Sequence, residues 1–120
     1  SNDKSGVLKI VYGKNSFLFV GDCEHPSEYF LASNFGRMLD SDVLKVGHHG
    51  SENGSSKGFL NLVSPDISLV SAGIKNKFNH PAESVIKLLN NINSKIYRTD
   101  QLGAVLLQSD GKKIRHINWK

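Results

Sequence analysis

Five histidines punctuate the 120-residue chain, and four of them fall where a β-rich run gives way to a loop or a helix. Asp22 closely follows the run Phe17 to Val20, His48 and His49 follow Asp42 to Val46, and His80 lies past the run that ends at Ala72. Open α/β sheets hold ligands beyond the carboxyl ends of their strands. Parallel neighbouring strands would therefore bring Asp22, His48 and His80 to one rim. One carboxylate and imidazoles gathered there suit Zn²⁺ or Mn²⁺, and the carboxylate can bridge two ions.

Each of these residues also has a plainer reading. Asp22 could form a turn or cap the helix that Pro26 opens. The His48–His49 pair could belong to a solvated loop, with one of the two facing away. A histidine before proline, as His80 is, serves often as a surface or capping residue. The run Gly50-Ser51-Glu52-Asn53-Gly54-Ser55-Ser56 could cradle a phosphate ahead of the next helix, or simply be flexible. His25 and His116 sit in no partner pattern and read as structural.

The elements that must position these residues follow from periodicity. Val7 to Tyr12 and Phe17 to Val20 predict a hairpin around Gly13-Lys14-Asn15, the second strand buried on both faces. Pro26 suits a first helical turn, and Phe30, Leu31, Phe35, Met38 and Leu39 keep helical spacing. Asp42 to Val46 reads as a strand. A short helix follows it, capped by Ser55 or Ser56 and ending before Pro65. Ile67 to Ala72 is a further strand, and a loop from Gly73 to Asn79 leads to Pro81, a second helix start. Val85, Ile86, Leu88, Leu89 and Ile92 form that helix's apolar stripe. Three strands finish the chain (Lys95 to Arg98, Ala104 to Gln108, Lys113 to Asn118), the last two turned by Asp110-Gly111. The order ββαβαβαβββ predicts an α/β fold, with one mixed sheet covered by helices on one face.

Composition sets the bounds. At 120 residues and 38% hydrophobic content, residues 1–120 read as a single domain with one core. There is no apolar run long enough to span a bilayer. Opening on Ser1 rather than Met, the chain reads as a piece of a longer protein. The lone Cys23 can form no internal disulfide. A net charge of +4 suits a polyanionic or phosphate partner, but the excess is dispersed and equally fits an ordinary surface.

Four blocks in fixed order carry more information than any one residue: Phe-Leu-Phe-Val-Gly-Asp at 17–22, Asp-Val-Leu-Lys-Val-Gly-His-His-Gly-Ser at 42–51, Asn79-His80-Pro81, and Tyr97-Arg98-Thr99-Asp100-Gln101-Leu102-Gly103-Ala104. Over residues 5–111 the chain resembles the C-terminal half of the metallo-β-lactamase-like domain of ComEC-type DNA-uptake proteins. The resemblance implies half of an αββα sandwich. It implies that Asp22 bridges two metals, Zn or Mn, and that His80 completes one metal's shell. It also makes the His-His pair the catalytic candidates. His48 would contact the scissile phosphate or donate a proton, with His49 beside it; His48 as a direct ligand is the variant reading.

A dinuclear site in that family also takes a His-x-His-x-Asp-His cluster and one further histidine from the preceding half, and no His-x-His occurs here. The expectation is thus a part of a metal-dependent phosphodiesterase or nuclease domain of a competence protein, inactive by itself. The expected partners are the missing N-terminal half and DNA. The expected setting is a soluble segment of a bacterial inner-membrane protein. With helices able to cover only one face of the sheet, a chain by itself is expected to pair as a homodimer through the other. The reading from a different class is a non-catalytic scaffold or DNA-contacting module with a degenerate metal site.

Overall fold

The computed structural model describes residues 6–74 and 78–119. Residues 75–77, within the loop expected between Gly73 and Asn79, and residues 1–5 and 120 lie outside them. The chain is α/β. Strands β1 (Leu8–Tyr12), β2 (Asn15–Phe19), β3 (Val43–Lys45), β4 (Ile67–Val70) and β5 (Lys95–Arg98) form one mixed sheet in the order β1-β2-β3-β4-β5. The β1–β2 pair is antiparallel and every other pairing is parallel.

Between the parallel strands run α1 (His25–Phe35), α2 (Lys57–Val63) and α3 (Glu83–Asn91). Strand order advances one place per crossover. Right-handed crossovers moving steadily in one direction put all their helices on the same side of the sheet. The core sits there: Leu18, Val20, Leu44, Val46 and Val70 of the sheet meet Leu31, Phe59, Leu60, Val63, Val85 and Leu89 of the helices. Each such side chain taken fully out of water contributes about 1.5–3 kcal/mol.

Local chemistry sets the helix ends. Pro26 occupies the first turn of α1, and Gly36 ends it at φ 48°. Ser56 caps α2, its hydroxyl accepting from the Phe59 amide, and the helix stops before Pro65 as expected. Most of the stripe on α3 holds: Val85 and Leu89 are buried, Leu88 and Ile92 pack against the core, and Ile86 is half-buried. This helix starts at Glu83 rather than at Pro81, because the Ala82 amide is committed to the Gly50 carbonyl at 2.9 Å and the segment stays extended.

Three expectations change. Strand β2 is buried on one face only: Leu18 and Val20 are enclosed, whereas Phe19 on the opposite face stays 37% exposed. Of the stripe proposed for α1, only Leu31 and Leu39 are buried, and Phe30, Phe35 and Met38 face outward. Finally, only one of the three closing strands joins the main sheet. A one-turn helix, α4 (Thr99–Leu102), diverts the chain after β5. Strands β6 (Leu106–Ser109) and β7 (Ile114–Ile117) then pair with each other as a separate antiparallel hairpin.

That hairpin lies over the second face of the main sheet. At one end the His116 ring stacks on Tyr97 of β5, centroids 4.4 Å apart. At the other, Asn15 of β2 accepts from the Ser109 hydroxyl at 2.6 Å and donates to the Lys112 carbonyl, while the Lys14 amide donates to Gly111. A Cβ at Gly111 would come within 3.7 Å of the Tyr12 ring. Val43 and Tyr97, on this face, are buried, so the face is partly covered rather than bare.

Candidate active site

Three segments meet at the carboxyl rim of the parallel strands: Gly21–Glu24 after β2, the turn Gly47–Gly50 after β3, and Asn79–Ala82 after β4. Two glycines permit the meeting. A Cβ at Gly47 would stand 3.1 Å from the Val20 side chain and 3.3 Å from the Cys23 carbonyl. At Gly50, with φ +82°, it would come within 2.5 Å of the Pro81 side chain. Any larger residue at Gly50 would push His80 and Pro81 away from the turn.

Inside that turn, His48 and His49 both adopt left-handed backbone angles, φ 49° and 55°. Non-glycine residues rarely do so, at a cost of about 1–3 kcal/mol each, and they persist only where surroundings over-determine them. Here the His48 amide donates to the Gly21 carbonyl at 3.0 Å and the Ser51 amide to the His48 carbonyl at 2.9 Å. His49 Nδ1 lies 2.8 Å from the Ser71 carbonyl. A carbonyl only accepts, so His49 carries its proton on Nδ1 and donates it there. This ties the turn to the end of β4 and draws the His49 ring away from the path of His48.

The consequence is that His48 and His80, distant in sequence, stand with ring centroids 5.9 Å apart, and His48 and His49 with theirs 6.4 Å apart. Glu24 brings its carboxylate to 3.4 Å from His48 Nδ1. Glu24 holds the N-cap position of α1 yet makes no capping bond, which leaves the carboxylate for the histidine. The contact is electrostatic and sets a carboxylate against the Nδ1 edge of the ring. Burial holds His80 below the ordinary imidazole range, the nearby His48 and His49 add to the depression, and Glu52 offsets it. Asp22 follows β2 beside Lys45 of β3: burial lowers the Lys45 ammonium below its usual range, and the Asp22 carboxylate pulls it back up.

Two further groups brace the rim. The Thr99 hydroxyl accepts from the Ala72 amide at 2.9 Å and donates to the Ala72 carbonyl at 3.0 Å, fastening the chain that leaves β4 to the end of β5. Next to it the Arg98 guanidinium grips Asp100 through two bonds of 3.0 and 2.7 Å, which holds the Asp100 carboxyl below its usual range. The Tyr-Arg-Thr-Asp block is thus a brace: its tyrosine seats the hairpin, its arginine and aspartate clasp each other, and its threonine ties two strand ends. The Gly-rich run has a similar use. Glu28, almost fully buried on α1, accepts from the amides of Ser55 and Ser56, so these two loop donors serve the fold.

Sequence reasoning singled out His48, His49, His80 and Asp22 and missed Glu24, Glu28 and Lys45. A signal was present for the first of these. Glutamate is not among the favoured N-cap residues, so Glu24 directly before a helix start has to serve something else. Among the described residues, no group of three or more His, Cys, Asp or Glu side chains is arranged to hold a metal ion. Asp22 and His80 supply at most two donors where a closed zinc shell takes four.

The chain is 41% identical over 104 residues to competence protein ComA of Neisseria gonorrhoeae, an alignment covering 87% of this chain and 15% of that protein. It is 36% identical over the same span to ComE operon protein 3 of Bacillus subtilis and 38% identical to recombination protein 2 of Haemophilus influenzae, covering 87% of this chain and 13% of each relative. No family model matches it. The chain therefore spans about one seventh of the length of these curated relatives. Over most of its own length, it is homologous to one segment of competence proteins.

Proposed function

We propose that this chain is the C-terminal half of a metallo-β-lactamase-fold hydrolase domain in a DNA-uptake protein, and that the completed domain cleaves phosphodiester bonds of DNA. The observation that carries this reading is the 5.9 Å approach of His48 to His80 across the rim, with Glu24 behind His48. Strained backbone in a glycine-bounded turn, held by bonds from three segments, supports a site whose geometry matters. Homology to competence proteins supports a role in DNA uptake, which makes DNA the substrate of this reading.

In this reading Asp22 and His80 are the chain's metal ligands, and the preceding half of the domain supplies the others. A divalent ion, Zn²⁺ or Mn²⁺, would contribute Lewis-acid polarisation of the phosphoryl oxygens. His48 handles the proton. A water oxygen bonds to phosphorus and releases one proton to solvent while the P–O bond to the leaving group breaks. His48 gives the departing oxygen the proton it needs and later regains one from solvent, with Glu24 beside its Nδ1 edge steadying the charged ring. His49, donating to Ser71, holds the turn in place. The parent is a membrane protein that carries this segment outside the bilayer; no helix among the described residues is long and apolar enough to cross one.

The test is a longer form that includes the preceding half. It should cleave DNA in a metal-dependent manner, and Asp22→Ala should abolish both activity and bound metal. His48→Ala should keep its metal and slow turnover by roughly 10²–10⁴-fold. No metal-dependent cleavage by the longer form would leave the chain a non-catalytic, DNA-contacting module.

A further inference from the structure

Next to the rim, His80 forms one wall of a cavity of about 440 Å³ bordered by Glu52, Asn53, Phe78, Asn79 and Ser84. That volume lies within the roughly 300–1,000 Å³ range of small-molecule clefts. Phe78 stands out among these polar neighbours. Its ring is stacked on His80, centroids 5.8 Å apart and planes within 20°, and the residue remains 67% exposed. A lone exposed phenylalanine is unremarkable. This one is held flat by an imidazole at the edge of a polar cleft, and so presents an apolar plane beside carboxamides, a hydroxyl and carboxylates.

The chemistry of the walls narrows the ligand. Glu52 and Glu83 make this a poor seat for a phosphate, whose charge they repel. They accept hydrogen bonds well, and so do the Asn53 and Asn79 carboxamide oxygens, which sit beside donors of their own. The matching ligand is a flat heteroaromatic ring with N–H donors at its edge: a nucleobase carrying an exocyclic amine. We infer that the cleft between Phe78 and Asn53 binds one base of a single-stranded nucleic acid, stacked on Phe78, while the adjoining phosphodiester lies at the His48–His80 rim. Paired bases have both faces stacked and their edges occupied, so the site selects single strands. This site rests on the proposed function for its place in a reaction, but not for its existence.

Binding is therefore measured apart from cleavage, by fluorescence anisotropy of a labelled short oligo-dC strand and of the same sequence in duplex form, with this chain. The single strand should bind more tightly than the duplex. Phe78→Ala should weaken single-strand binding by roughly 5- to 150-fold, the range for loss of one base stack, and Phe78→Trp should restore it. Phe78 is exposed, so both variants should keep the native circular dichroism spectrum. Unchanged affinity in Phe78→Ala, or a duplex bound as tightly as the single strand, would overturn the base site and leave the hydrolase reading standing. A longer form that cleaves no DNA, with this binding intact, would sink the hydrolase reading alone.

Discussion

On the helix side of the main sheet, Leu18, Leu44, Val46 and Val70 keep 1% or less of their surface. One residue along the same strands, on the other side, Phe19 keeps 37%, Phe17, Ile67 and Leu69 are half-buried, and Leu8 and Ile10 of β1 are exposed. Both faces carry apolar rows, the second interrupted by Lys45 and Lys95. They differ in what covers them: three helices fill one, while a two-stranded hairpin bridges the other between β5 and the β1–β2 turn. The second face is thus a core in outline, closed over Val43, Tyr97 and Asn15 and open over Leu8, Ile10 and Phe19. A sandwich half would leave an edge of this kind for its other half to complete.

Three tests sharpen or break that contrast. The largest effect belongs to the helix side, where Leu44→Ala should destabilise by about 2–5 kcal/mol in urea unfolding, against about 1 kcal/mol for Phe19→Ala opposite. Comparable losses at the two positions would mean that the hairpin side is as much a core as the helix side.

Asn15 comes next. It is buried and joins β2 to the hairpin through Ser109 and Lys112. Asn15→Ala should cost about 1–3 kcal/mol by leaving these groups unmatched. Amide exchange should rise in β6 and β7 while α3 stays protected. If protection falls equally in α3, the hairpin is part of the main cooperative unit and not a cover laid upon it.

The smallest effect on stability, within about 0.5 kcal/mol, is expected for Leu8→Ser with Ile10→Ser, both exposed on the open part of the second face. Their effect should appear in assembly. The chain by itself should be a homodimer by light scattering at micromolar concentration, through burial of this face, and the double variant should be a monomer. A monomeric unsubstituted chain would show that the hairpin already covers enough.

How much of this was legible beforehand differs by scale. The α/β class, the Pro26 start, the Ser56 cap, the α3 stripe and the Asp110-Gly111 turn are local or periodic features, and chain-local rules suffice for them. The hairpin's departure from the sheet was not legible. Its strands alternate like any others, and only contacts with residues nearly a hundred positions away, such as Ser109 with Asn15, decide which layer it joins.

By itself the sequence determined which residues had to stand at strand ends, because runs of apolar residues followed by Gly-Asp, Gly-His-His-Gly and Asn-His-Pro leave few other places for them. It marked Asp22, His48 and His80 as one rim's worth of chemistry, with His49 next to them. Only the tertiary structure decided their relations. Gly50 against Pro81 sets the spacing of His48 and His80, and the Ser71 carbonyl claims His49. A glutamate at an unused helix cap supplies the partner of His48. Those outcomes depend on contacts across two crossovers. No pattern within a single element encodes them, since each rests on the space a neighbouring element leaves.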